Sequence, residues 1–250
     1  MVLIYRGALP EGVLIRASTI RAAPATPAPE ANIWLDASAG VTLSASGRVI
    51  GWAPRGADPS QALPVPDNAT GTGFRSDPPA LQFSAGENGG LKLEGVVADA
   101  ACVTIALILT PGLPEARTLL SLQPVAQGDY IFLSLEGPHL RLARKDAATS
   151  LALTLPADPL QPILILCALS SGMARLSVNG GSAVAARLDA ENGPADLFIG
   201  CRTARKGMKN KLGRFDLSDV MVWSGQDLLG SGAELAAVRA LWTDRCRHGL

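Results

Sequence analysis

Val103-Thr104-Ile105-Ala106-Leu107-Ile108-Leu109 holds six apolar residues and one threonine, and Ile163-Leu164-Ile165-Leu166 repeats that character further along. Both runs are too short for buried helices. Nearly unbroken apolar character over so few residues instead describes strands covered on both faces, at the centre of a layered fold.

Working outward from these two runs, short strand signals recur between turn residues across the chain. They are Ile33 to Leu35, Arg48 to Trp52, Ala80 to Phe83, Leu91 to Leu93, Thr118 to Leu122, Tyr130 to Leu135 and Leu140 to Leu142. Leu151 to Leu155, Ala174 to Val178, Ala183 to Arg187, Leu197 to Gly200 and Leu212 to Trp223 continue the series. Strands at this spacing predict an antiparallel two-sheet sandwich or jelly roll. Asn179-Gly180-Gly181 tolerates positive φ and predicts a tight hairpin between two of them. Residues 53–79, rich in Pro, Gly, Asp and Ala, read as a long irregular excursion of the kind that often carries function.

One helix is predicted over 232–247. Ser231-Gly232-Ala233-Glu234 fits a capping box, and Leu235, Val238, Leu241 and Trp242 then fall on one face, with Arg239 and Arg245 elsewhere. This helix is expected to pack on the sandwich. At the other end, Leu3, Ile4, Tyr5, Val13, Leu14 and Ile15 precede the proline tract Ala22 to Pro29, which favours an extended linker. Residues 1–30 therefore read as an arm, and 31–250 as the sandwich with its terminal helix. Isolated strand-like segments cannot satisfy their own edges, so these six apolar residues either add an edge strand to the sandwich or dock on a partner chain. An arm and a free sheet edge also suit a homo-oligomer.

Composition narrows the role. With 48 % apolar residues, 26 Gly and 18 Pro, the chain suits a core of short strands joined by many turns. The 22 basic and 22 acidic residues cancel, so no global field draws it to nucleic acid or an acidic membrane. Cys102, Cys167, Cys201 and Cys246 are scattered, with no metal-ligand spacing, and read as buried free thiols. The first residues lack a basic segment and a long apolar stretch, so no secretion signal is expected, and no run suits a membrane span.

Several segments, taken in order, resemble the concanavalin A-like lectin/glucanase superfamily and its laminin-G-like jelly-roll domains. They are Ile33-Trp34-Leu35-Asp36-Ala37-Ser38, Gly47-Arg48-Val49-Ile50-Gly51-Trp52, Pro79-Ala80-Leu81-Gln82-Phe83 and Val103-Thr104-Ile105-Ala106. Leu176-Ser177-Val178-Asn179-Gly180, Leu197-Phe198-Ile199-Gly200 and Asp219-Val220-Met221-Val222-Trp223 complete the set. The resemblance implies two curved sheets, a face or rim that holds sugars, and use as a non-enzymatic adhesion module. An adhesion fold without a secretion signal would suit a phage-like particle, as a head spike, fibre or tail component on the virion surface.

The chemistry-bearing residues agree with binding more than with catalysis. Glycan hydrolases of the superfamily resemble one another in an E-x-D-x-x-E strand, which is absent here. The nearest grouping, Asp216 and Asp219, is sent to opposite faces by strand alternation unless a bulge intervenes. Asp219 reads as a structural carboxylate. Asp189-Ala190-Glu191-Asn192, or Asp58 with Asp67-Asn68, could offer oxygens to calcium but follow no established loop pattern and read as turns. His139 and His248 stand alone. Trp52, Trp223 and Trp242 read as core. No catalytic residue, metal or cofactor is therefore expected.

The segment from Arg202 to Arg214 contains Arg202, Arg205, Lys206, Lys209, Lys211 and Arg214 without one acid. A solvated loop explains such a run. As a site, it would bind an anionic polysaccharide or an acidic protein surface. Nucleic acid is not expected, since no aromatic residue interleaves with the cluster. The sequence thus leads to a non-catalytic glycan-recognition or attachment module, with a purely structural virion or capsid-decorating protein, or a divergent glycoside hydrolase, as alternatives.

Overall fold

A computed structural model describes residues 29–56, 58–66, 68, 71–112, 116–125, 129–147, 150–155, 161–204, 209–230 and 232–247. Leu3, Ile4, Tyr5, Val13, Leu14 and Ile15 lie outside the described residues, as do Asp67, Arg205, Lys206, Ser231 and His248.

The strands begin with β1 (Ile33–Asp36), β2 (Val41–Leu43), β3 (Val49–Trp52), β4 (Leu63–Pro64), β5 (Gly73–Ser76), β6 (Pro79–Phe83), β7 (Leu91–Val97) and β8 (Cys102–Pro111). They continue with β9 (Arg117–Pro124), β10 (Ile131–Glu136), β11 (His139–Arg144), β12 (Ser150–Thr154), β13 (Ile163–Ser170), β14 (Met173–Val178), β15 (Val184–Arg187), β16 (Ala195–Ile199) and β17 (Phe215–Ser224). One helix, α1 (Gly232–Arg247), follows.

These strands form an antiparallel two-sheet jelly-roll sandwich. The eight-stranded sheet runs β15-β14-β13-β8-β17-β6-β5 with β1 also paired to β17, and the seven-stranded sheet runs β12-β11-β10-β9-β16-β7-β4. Strands β2 and β3 make a separate ribbon, bridged toward β4 through Trp52 and Ala62.

The two apolar runs sit where their patterning requires. β8 lies between β13 and β17, with Ile105 opposite both Cys167 and Val222. Its inward side chains Ile105, Leu107 and Leu109 join Leu120, Leu133, Leu142 and Leu197 of the other sheet in one core. Its outward Ala106 and Ile108, with Leu164, Leu166, Met221 and Trp223, pack beneath Leu235, Val238, Leu241 and Trp242 of α1. Every position but Thr104, which donates to the Gln226 carbonyl at 2.8 Å, is therefore apolar because a sheet covers one face and a helix the other. Each such large side chain contributes roughly 1.5–3 kcal/mol by leaving water.

The expected hairpin forms between β14 and β15. Asn179 and Gly180 adopt φ of 52° and 71°, and the Asn179 carboxamide also accepts from Leu164 N–H at 2.9 Å.

Several sequence readings need revision. Residues 53–79 are not wholly irregular, since β4 and β5 lie there and pair with β7 and β6. Cys167 and Cys201 are buried free thiols, but Cys102 and Cys246 are only half-buried. The Glu234 carboxylate, read as half of a capping box with Ser231, accepts from Glu30 N–H at 2.9 Å, and Ser231 lies outside the described residues. Trp52 and Trp223 are fully buried, whereas Trp242 is half-buried and donates to the Pro162 carbonyl at 3.0 Å.

Candidate functional site

Helix α1 covers the outer face of the eight-stranded sheet, and a different element crosses the outer face of the seven-stranded sheet. β16 ends at Ile199, and Gly200, with φ of 73°, turns the chain over that face while its N–H donates to the Leu119 carbonyl at 2.8 Å. Only a residue without Cβ suits the turn, since a Cβ there would collide with the Phe83 ring. Cys201 then buries with Phe198, Val65 and Leu212 in a small apolar cluster that pins the crossing segment down. At its far end, Leu212 bridges to Arg117 at the start of β9.

The segment therefore carries Arg202 and Lys211 onto the sheet. The Arg202 guanidinium lies 3.6 Å from the centroid of Phe132, and its Nε donates to Thr118 Oγ1 at 3.1 Å. The Ser121 hydroxyl donates to the Arg202 carbonyl at 2.6 Å. Backbone and side chain are both fixed, and an aromatic face beneath a guanidinium adds attraction of its own.

Beside Arg202 opens a cleft of about 520 Å³, lined by Arg117, Thr118, Tyr130, Phe132, Glu136, Arg141, Arg144, Lys145, Asp146, Ala147, Arg202, Asn210 and Lys211. Register explains the hollow. Thr118, Ser134 and Arg141 form one cross-strand row, and Ser121, Phe132 and Ala143 the next, so small side chains flank the large ones. The Ser134 hydroxyl in the first row is buried without a hydrogen-bond partner among the described residues.

Six cations and two carboxylates line this cleft. Arg144 is committed to Asp129 and to Glu191, the latter at 2.9 Å, and Arg117 stands 3.9 Å from Glu136. Lys145 lies 5.9 Å from the centroid of the Tyr130 ring. Partial burial holds Lys211 below the usual lysine range, with the nearby Arg202 charge acting in the same direction. Arg117 and Asp146, both at the cleft, are two of the four non-glycine residues with positive φ among the described residues. Such conformations are costly and concentrate at functional sites.

The basic run of the sequence is thus divided by the fold. Arg202 and Lys211 meet in the cleft, but Arg214 does not line it, and Lys209 sits in a 3-10 turn just before it. Arg205 and Lys206 lie outside the described residues. Arg117, Arg141, Arg144, Lys145, Tyr130 and Phe132 come from distant sequence and were missed. The alternation of β10 and β11 was their available signal, since it places Phe132, Arg141 and Lys145 opposite the core residues.

The two candidate acids belong elsewhere. β17 contains a bulge, with Leu217 opposite Leu109 and Asp219 opposite Ile108, so Ser218 is the extra residue. The bulge resets alternation and returns Asp216 and Asp219 to one face of the eight-stranded sheet, since Leu217 and Val220 both point into the core. Each has its own arginine: Asp216 pairs with Arg75 at 3.0 Å and Asp219 with Arg245 at 2.9 Å. Trp34 Nε1 also donates to Asp219 at 3.1 Å. Burial pushes the Asp219 carboxyl up, and Arg245 opposes without cancelling it. Arg245, read from sequence as lying off the packing face of α1, turns toward the sheet.

The oxygen-rich turns are also occupied. Asp58 accepts from Ser60 N–H at 2.7 Å, and Glu191 holds Arg144. Among the described residues no group of three or more His, Cys, Asp and Glu is placed to share a metal ion. Among the same residues no helix is long and apolar enough to cross a membrane.

No protein-family model and no curated protein matches this chain by sequence. Solved structures are similar to it in fold. A Trypanosoma rangeli sialidase in complex with sialic acid matches with a TM-score of 0.56 and 13 % identity, over 87 % of this chain and 33 % of the sialidase. The chain therefore spans about a third of that protein's length. A heptameric SAP-like pentraxin from Limulus polyphemus matches at TM-score 0.49 and 13 % identity, over 64 % of this chain and 80 % of that one. Domains LG4-5 of the mouse laminin α1 chain match at 0.44 and 15 %, over 62 % and 43 %.

Proposed function

We propose that this sandwich recognises a glycan in the cleft on the outer face of its seven-stranded sheet and leaves it chemically unchanged. The observation that carries this reading is the cleft itself, in which six cations and the Tyr130 and Phe132 rings surround a hollow of about 520 Å³. Volumes of about 300–1,000 Å³ suit small ligands, so this one takes about one or two sugar rings. Tyr130 offers an apolar face to a pyranose ring, while Phe132 is buried beneath Arg202, and the polar rim supplies donors to ring oxygens.

The non-catalytic part rests on charge. Most glycoside hydrolases flank the scissile bond with a paired acid and base, whereas the two cleft carboxylates here, Glu136 and Asp146, stand among six cations. Asp216 and Asp219, the strand carboxylates closest to a hydrolase pattern, lie on the other sheet and are held there by Arg75 and by Arg245 of α1. By their sequence, residues 1–30 are proposed to attach the sandwich to other chains of a larger assembly, such as a phage-like particle. Unchanged assembly after their deletion would refute that role.

A glycan array probed with the full chain, paired with an assay for released reducing ends, tests the reading. Binding that falls at least tenfold in Arg202→Gln and Lys211→Gln, without release, is expected. A blank array would favour a purely architectural protein, and released ends would make it a hydrolase.

A further inference from the structure

The cleft cations are not equivalent. Arg144 and Arg117 face carboxylates of the protein, while Arg141, Lys145, Arg202 and Lys211 form no ion pair with a carboxylate among the described residues. Within that second group Arg202 is the one whose orientation is fixed from three sides. Its main chain is held by Ser121, its Nε by Thr118, and its plane by Phe132. Because Nε is spent on Thr118, the edge formed by the two Nη groups is the one left for a ligand.

We propose that the glycan is an acidic sugar, and that the Nη edge of Arg202 takes its carboxylate in a bidentate, in-plane pair. This rests on the glycan reading above and deepens it. A guanidinium presents parallel N–H groups that match the two oxygens of a carboxylate, and a preorganised fork loses little freedom on binding. The Phe132 ring below Arg202 offers no donor, so an anion with oxygens out of the guanidinium plane gains nothing from that side. Lys211, partly desolvated beside Arg202, and Arg141, on the row next to Phe132, add point charges around the seat. Tyr130, whose ring lies 6.0 Å from Phe132 at 60°, offers an apolar surface for the body of the sugar. The carboxylate could come from an internal unit of a polyuronate or from a terminal acidic sugar, since both present the same planar group.

Calorimetric titration of the full chain decides the matter. The probes are galacturonate, glucuronate and mannuronate as tetrasaccharides and as monosaccharides, their methyl esters, and sulfated tetrasaccharides of equal length. At least one uronate should bind at least tenfold tighter than its ester and than its sulfated counterpart. Tetrasaccharide binding without monosaccharide binding assigns the internal source, and equal binding assigns the terminal one. Arg202→Lys keeps the charge but not the fork and should lose at least tenfold, nearly as much as Arg202→Gln, with thermal unfolding confirming that both fold. Wild-type affinity in Arg202→Lys, or equal binding of acid and ester, would overturn the proposal while leaving glycan recognition intact. No uronate binding beside neutral or sulfated hits on the array would overturn it too. A blank array removes the parent reading as well. Should the Arg202 variants fail to fold, the comparison of acid with ester in the wild-type chain decides alone.

Discussion

Arg245 closes a two-point clasp on Asp219, with Nε 2.9 Å from Oδ2 and Nη2 3.0 Å from Oδ1, and the same Nη2 reaches Asp36 at 2.8 Å. The two carboxylates are almost completely buried, and Arg55 Nε meets the far oxygen of Asp36 at 2.7 Å. The last turn of α1 is thereby bonded to β1 and β17 through charge as well as apolar contact.

Removing the arginine leaves Asp219 buried without a cation among the described residues, while Asp36 keeps Arg55. Arg245→Ala should destabilise the fold by about 3–5 kcal/mol at neutral pH, read as a shift in the urea midpoint. In the native chain burial pushes Asp36 up, but Ser38 and Arg245 outweigh it and hold its carboxyl below its usual value. Its stabilising contribution is therefore present above pH 3.8 and lost as pH falls through the lowered native value. Asp219, raised by burial, has the opposite sign: its contribution is full below that pH and is lost as pH rises through the raised native value. Without Arg245 the Asp219 carboxyl should be raised further, so the deficit should narrow on acidification from about pH 7 to pH 5. An equal deficit at the two pH values would show that the clasp is not the source.

Lys211 predicts the pH dependence of binding. Partial burial first, and Arg202 second, hold its ammonium below 10.5, so alkaline pH discharges it sooner than an ordinary lysine. An anionic ligand prefers the charged form, and affinity should fall as pH rises through that lowered value. Titrations of a bound anionic oligosaccharide between about pH 7 and 10 should show the decline, and Lys211→Arg should flatten it.

Gly213 should tolerate no side chain. A Cβ there would land on the Ala116 carbonyl, where the Leu212 to Arg117 bridge brings the two backbones together. Gly213→Ala should cost about 1–3 kcal/mol and weaken ligand binding, because the same bridge positions the cleft wall. Thermal unfolding together with a binding titration reads both effects.

Ser134→Ala should be neutral or stabilising by up to about 1–3 kcal/mol, since it removes a buried hydroxyl that has no partner. A loss of stability in chemical denaturation would reveal a hydrogen bond to an ordered water.

The sandwich was legible because its central strands announce themselves. Val103 to Leu109 is apolar at nearly every position, and few environments other than a strand between a sheet and a helix produce that pattern. Helix α1 was equally plain from Leu235, Val238 and Trp242. Arg245 shares their spacing, three residues beyond Trp242, but its charge suggested solvent, and only the buried Asp36 and Asp219 explain its inward turn. The bulge at Ser218 left no trace in residue types. The cleft was half-legible: Arg202 and Lys211 stood out as members of a basic run, while Arg141 and Phe132 needed the register of β9, β10 and β11. Grouping by proximity along the chain also enlisted Arg214, which the fold sends away.

The backbone of Glu30 is fastened to Glu234 at the start of α1, on the far side of the molecule from the cleft. With α1 lying over one sheet and the hollow cut into the other, the domain has a back and a front. If residues 1–30 attach the domain as proposed above, the pull reaches it from the back, and many copies fixed to a common support would turn their cationic hollows outward.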